Sequence, residues 1–141
     1  MKIKLINFGL KKSPTRAHYN DAGLDVYAHL GEGSMGQLVG SQQTVKIPLG
    51  FGVEIPDGYV GFICPRSGLS SRGITCELSP IDSGYRGQVH AIVTNCGSDR
   101  YIVRNGEKIG QLVILPCVMA ELVEDLGENR GTGAFGSTGG N

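Results

Sequence analysis

The chain has 141 residues, enough for one domain with a real core and too few for two comfortable ones. Apolar residues make up 40% and charged residues 18%, which fits a folded chain and excludes a disordered one. The 13 basic and 13 acidic residues cancel, so a general nucleic-acid or anionic-membrane binder is not expected, and any bound anion must be held by a local cluster.

Taken in order, Lys2–Ile6 alternates charged and apolar residues and reads as a first strand. Lys11–Asn20 is polar, broken by Pro14, and reads as a loop. In Ala22–Ala28, Leu24, Val26 and Ala28 alternate with Asp25 and Tyr27, a strand whose polar face carries an acid. Gly31–Gly40 is glycine-rich and is expected to be an exposed loop. Gln43–Ile47, Gly50–Ile55 and Tyr59–Cys64 are short strands separated by Pro48 and by Pro56-Asp57-Gly58, a strong turn signal. Pro65–Arg72 breaks the strand pattern, with one short helical turn near Ser67. Ile74–Glu77, Gln88–Asn95, Tyr101–Arg104, Lys108–Pro116 and Glu121–Glu124 continue the strand series. No dozen-residue window carries a helical stripe, so the chain is expected to be all-β, with at most one short helix: a sandwich, jelly roll or barrel-like domain.

Ile109–Val123 is apolar at nearly every position after Gln111. A strand apolar on both faces must be covered on both sides. The cover is either a second sheet of the same chain or another subunit. Cys64, Cys76, Cys96 and Cys117 show no C-x-x-C spacing, which argues against zinc and for small buried apolar residues. The N-terminal apolar stretch is too short for a signal peptide and no run is long enough to span a bilayer, so a reduced, cytoplasmic protein is the expectation.

Three stretches carry chemistry. Pro80–Val89, PIDSGYRGQV, reads as strand, tight turn, strand, with Asp82 and Tyr85 at the bend. By itself Asp82 is equally a turn cap or a functional acid. Arg66-Ser67-Gly68 places a cation and a hydroxyl where a helical turn opens, and N–H groups at such an end favour anions; an N-cap serine beside a surface arginine is the plainer alternative. The last stretch, from Gly127, is rich in glycine but also holds Arg130, Phe135, Ser137 and Thr138. It is either a frayed terminus or a tail able to stack on a base and cradle phosphates.

Together, AGLDVYA (22–28), PRSGLS (65–70), IDSGYRGQV (81–89), GEKIGQLVI (106–114) and RGTGAFGSTG (130–139) resemble, in order, the five motifs of the trimeric dUTPase family. The resemblance implies a distorted jelly-roll-like domain over residues 1–126 and a flexible tail over 127–141. It implies a homotrimer with active sites shared between subunits, and Mg²⁺-assisted hydrolysis of dUTP to dUMP and pyrophosphate. Asp82 then matches the general base, and Asp25 the acid that holds Mg²⁺ through water. Arg66, Ser67, Gly68 and Gln111 match the α/β-phosphate contacts. Arg130, Gly136, Ser137 and Thr138 match the γ-phosphate contacts, and Phe135 the ring that stacks on uracil. Tyr85 matches the platform under deoxyribose, and the main chain around His90 and Ile92 the reader of the uracil edge.

The chain departs from the family pattern at Glu77-Leu78-Ser79-Pro80, where an asparagine, glycines and an aliphatic residue are usual. Ala134 and Val26 replace a common glycine and leucine. The rival readings are a dCTP deaminase on the same fold, a regulatory binding protein on this scaffold with a protein partner (a role open to phage-encoded members), and a plain β-sandwich interaction module.

Overall fold

The computed structural model describes residues 1–127. Ten strands and one helical turn follow one another: β1 (Lys4–Asn7), β2 (Gly23–Tyr27), β3 (Gly36–Val39), β4 (Thr44–Pro48), β5 (Phe51–Glu54), β6 (Tyr59–Cys64), α1 (Ser67–Ser70), β7 (Ile74–Cys76), β8 (His90–Asn95), β9 (Tyr101–Arg104) and β10 (Lys108–Pro116). All pairings are antiparallel, in four small sheets: β1-β5, β2-β10-β6, β3-β9 and β4-β8-β7. The all-β expectation holds, and the helical turn near Ser67 is α1.

Alternation explains the core. In β8, Ala91, Val93 and Asn95 point inward while His90, Ile92 and Thr94 stay half-exposed. Every strand from β2 to β10 sends at least one side chain into one apolar cluster, with Phe51, Ile47 and Ile109 among the fully buried members. Burying a side chain of that size contributes about 1.5–3 kcal/mol. Asn95, with Asp25 one of two buried polar residues among those described, is 1% exposed. Its amide donates to the carbonyls of Val39 (3.0 Å) and Asp99 (2.7 Å), and its Oδ1 accepts from Gly97 N–H (3.0 Å). One side chain thus ties β3, β8 and the turn before β9 together.

The structure corrects several sequence expectations. Gly31–Gly40 is not all loop, since its last part forms β3. Gly36 is there for close approach: a Cβ would meet Ile102 Cγ2 at 2.8 Å and the Val103 carbonyl at 3.0 Å. Composition cannot separate such a glycine from a turn glycine. Glu121–Glu124 forms no strand, and β10 ends at Pro116. Beyond Cys117, whose N–H reaches Gly58 O at 2.8 Å, Val118, Met119, Leu122 and Leu126 are exposed, Leu122 at 94%. The apolar run of 109–123 is therefore covered within this chain only over its first part. Cys96 is exposed and lies outside any strand, while Cys64, Cys76 and Cys117 are half-buried. The expected mobile tail falls on residues outside those described, Gly127 excepted.

Replacing Asn95 by alanine would leave the buried Val39 carbonyl without this donor and remove the part-buried contacts to the Asp99 carbonyl and the Gly97 N–H. Each unmet buried group costs about 1–3 kcal/mol. At equal chain concentration, the urea midpoint of Asn95→Ala should drop by an amount equivalent to about 1–3 kcal/mol; an unchanged midpoint would show that solvent takes over these contacts.

Candidate active site

The nine-residue β10 lies between β2 and β6, and its register brings distant stretches of sequence together. Gln111 is opposite Asp25 on one side and Cys64 on the other. Cys64 ends β6, Pro65 breaks the strand, and Arg66 opens α1. Asp25, Arg66, Ser67, Gly68 and Gln111 therefore line one polar cleft, of about 450 Å³, with Ala17, Asp21, Pro65 and Lys108.

Asp25 lies on the polar face of β2, as the alternation predicts, yet its side chain is only 10% exposed. The loop before β2 covers it, through paired backbone bonds between Thr15 and Asp25 (3.0 and 2.7 Å). Its Oδ2 lies 3.0 Å from Lys108 Nζ, and its Oδ1 accepts from Gln111 Nε2 at 3.5 Å. Gly23 makes room for Gln111, because a Cβ there would come within 2.9 Å of the Gln111 side chain. Arg66 Nη1 donates to the Lys108 carbonyl at 2.9 Å.

Arg66, not Ser67, takes the N-cap position of α1, with no side-chain cap. The capping-serine alternative is overturned. The Arg66 carbonyl accepts from Leu69 and Ser70, while the N–H groups of Ser67 and Gly68 take no partner among the described residues. Those are the donors a phosphate oxygen uses at a helix start.

Lys108 escaped the sequence reading for a physical reason. Strict alternation sends residues 108 and 111 to opposite faces. The register slips by one residue between Lys108 and Gly110, so Lys108 pairs with Tyr27 while Gln111 pairs with Asp25. This β-bulge turns Lys108 onto the acid's face. Gly110 is required beside it, because a Cβ would meet the Cys64 carbonyl at 2.8 Å.

Asp82, Tyr85, His90 and Ile92 line a second, shallow cleft of about 200 Å³, with Lys46, Glu77 and Gln88. The 80–89 stretch is not a hairpin with paired arms. Ile81 bonds to Gly61, and Val89 to Leu49 and Phe51. The paired arms are β7 and β8, and 80–89 belongs to their wide connection. Within it, Tyr85 N–H donates to Asp82 O at 3.1 Å, a tight turn that leaves the Asp82 carboxyl exposed. The Tyr85 hydroxyl donates to the Gln88 carbonyl at 2.7 Å, which lays the ring across Gly87. A Cβ at Gly87 would come within 2.6 Å of that ring.

The register also separates His90 from Ile92. The Ile92 carbonyl already accepts from Glu77 N–H at 2.8 Å. His90 faces Pro48, which has no N–H and whose carbonyl accepts from His29 (2.8 Å). The main-chain groups of His90 therefore point to the other edge, where β7 has already left. Among the described residues that edge is free for a planar ligand that pairs like a strand. The imidazole Nδ1 lies 3.0 Å from the Gln88 carbonyl, an acceptor, so Nδ1 carries a proton and donates it. Burial lowers the His90 pKa, against the opposing Gln88 contact and with a smaller contribution from Lys46.

Arg130, Phe135, Gly136, Ser137 and Thr138 lie outside the described residues. No cluster of three or more His, Cys, Asp or Glu occurs among the described residues. One well-held carboxylate in a polar cleft nevertheless suits Mg²⁺, which keeps most of its waters and takes few protein ligands beside substrate phosphates. No helix among the described residues is long and apolar enough to cross a membrane.

The dUTPase family model matches residues 10–139. The chain belongs to the dUTPase family. It is 40% identical to the deoxyuridine 5′-triphosphate nucleotidohydrolase of Rhizobium johnstonii, over 97% of this chain and 91% of that one. It is 38% identical to the protein of the same name from Gloeobacter violaceus, covering 89% and 88%. Among solved structures, a Staphylococcus bacteriophage 80alpha dUTPase variant with dUpNHpp superposes with TM-score 0.79 at 28% identity, covering 98% and 99%. A variant of the dUTPase from phage phi11 of S. aureus, in which a structural Mg(II) ion is coordinated, gives 0.78 at 26%, covering 89% and 99%. The family generally uses Mg²⁺ and is generally trimeric.

Gly87→Ala should push the Tyr85 ring off the turn while leaving the core intact. The expected outcome is a shifted Tyr85 ring resonance by NMR, with thermal unfolding within a few degrees of the parent; an unmoved resonance would show that the turn itself yields instead.

Proposed function

We propose that this chain hydrolyses dUTP to dUMP and pyrophosphate. The observation that carries the reading is the family match over residues 10–139, a span that includes both clefts. In this reading the shallow cleft takes the deoxyuridine. The free main-chain edge at His90 pairs with uracil, whose donor and acceptor pattern cytosine lacks. Tyr85 lies under deoxyribose, leaving no room for a 2′-hydroxyl. Asp82, exposed at the turn, takes a proton from the water that attacks the α-phosphorus in line.

The polar cleft takes the phosphates. Arg66 contributes a planar cation and Ser67 a hydroxyl; with the amide of Gly68 and the side-chain amide of Gln111 they hold α- and β-phosphate oxygens. Asp25 holds Mg²⁺ through water, and that ion when bound offsets charge on the phosphates and the leaving pyrophosphate. Arg130, Gly136, Ser137 and Thr138 bind the γ-phosphate, and Phe135 stacks on the base.

On one chain the two clefts have no lining residue in common. A homotrimer in which one subunit's shallow cleft meets another's polar cleft, and a third subunit lends its tail, completes the site. The exposed apolar residues after β10 favour such an assembly, because an isolated chain would leave them in water.

The test is pyrophosphate release from dUTP, dCTP, dTTP and UTP. Turnover should be confined to dUTP; ammonia release from dCTP would point to a deaminase instead. Asp82→Asn should retain dUTP binding and lower kcat by about 100-fold or more, the scale of general-base loss, and near-parent kcat in that variant would remove Asp82 from the mechanism. Deleting residues 130–141 should leave a folded assembly with very poor catalysis, and normal turnover would show the tail to be dispensable.

A further inference from the structure

The bulge at the start of β10 gives one residue two jobs in the polar cleft. The Lys108 side chain reaches Asp25 Oδ2 at 3.0 Å, and the Lys108 carbonyl anchors Arg66 Nη1 at 2.9 Å. The acid lies on β2 and the arginine at the start of α1, 41 residues apart in sequence, and they meet through this residue. The pair is unequally exposed, Asp25 at 10% and Lys108 at 38%. The carboxylate is therefore largely withdrawn from water while the ammonium borders the cleft.

This arrangement meets an electrostatic difficulty. A carboxylate in a cleft built for phosphates repels the ligand, and withdrawal from water strengthens that repulsion. A cation fixed on the carboxylate removes most of it. The cleft that Arg66, Ser67 and Gln111 also line is thereby left less repulsive to an entering anion.

We propose that Lys108 is a positioning residue for phosphate binding: its ammonium neutralises and orients Asp25, and the bulge that aims it also seats Arg66. The inference rests on the dUTP reading above and assigns a role to a residue outside that reading. It requires that Lys108 matter most when no divalent cation shares the work of offsetting Asp25. It also requires that the role depend on the charge of Asp25.

The experiment is calorimetric titration of the full chain with the non-hydrolysable α,β-imido analogue of dUTP and with dUMP, each in EDTA and in saturating MgCl₂. Lys108→Met should bind the imido analogue at least about tenfold more weakly than the parent in EDTA, the scale of one lost charge pair. The loss should shrink in MgCl₂ and be smaller for dUMP, which lacks the outer phosphates. In an Asp25→Asn background, Lys108→Met should cost little further, because the charge it offsets is gone. Lys108→Arg should recover most of the affinity.

Equal binding by Lys108→Met and parent in EDTA overturns the proposal. So does a loss that is the same for dUMP and the imido analogue, or one undiminished by Asp25→Asn, since either marks a merely structural role. If Lys108→Met does not fold, Lys108→Gln, neutral and polar, is put through the same titrations with the same outcomes. A parent chain that binds no imido analogue at all overturns the dUTP reading, and this inference with it.

Discussion

The register of β10 between its two neighbours is the constraint on which the polar cleft depends. Gln111 is opposite Asp25 on β2 and Cys64 on β6, so three stretches that are far apart in sequence meet in one row of the sheet. A slip of one residue would turn Gln111 into the core and Leu112 into the cleft. Burial of Leu112 on the opposite face, with Ile63 opposite it, opposes such a slip. The functional row is thus held in place by apolar packing behind it.

The bulge modifies that constraint locally. It lets Ile109 and Leu112 both enter the core while Lys108 and Gln111 share the acid's face, which strict alternation forbids. Two glycines accommodate the crowding. Gly110 admits the Cys64 carbonyl, and Gly23 admits the Gln111 side chain. At these positions glycine acts by having no Cβ, where composition alone suggests turns. The second cleft follows the same logic from the opposite direction. There β7 ends early, and the resulting gap in the ladder leaves the His90 main chain without a β7 partner. The fold makes one cleft by completing a sheet and the other by leaving one incomplete.

Much of this was legible in the residues. The bounds of β6, β9 and β10 follow from alternation and from Pro65, Pro56-Asp57-Gly58 and Gly106, and the helical turn at Ser67 from the break in pattern. Asp25, Arg66, Ser67, Gly68 and Gln111 do gather in one cleft, and Asp82, Tyr85, His90 and Ile92 in another. What was not legible depends on contacts distant in sequence. Gly36 looks like a loop residue until Ile102 is beside it. The apolar residues of 121–124 look like a strand until no neighbouring strand is found for them. Lys108 looks like a surface charge until the bulge is seen.

The sequence by itself determined the chemistry available: the order and spacing of motifs, the acids, the cations, the ring at the turn, and a β architecture with family membership to match. Those are properties of residue type and local pattern, and local pattern survives without a fold. Only the tertiary structure decided which groups are already engaged and which remain free. It showed the Ile92 carbonyl taken and the His90 edge open, Ser67 relieved of capping, and Asp25 covered and paired with Lys108. The reason is physical. Hydrogen-bond satisfaction and burial belong to pairs of groups, and strand register, which selects those pairs, is settled by packing across the whole sheet.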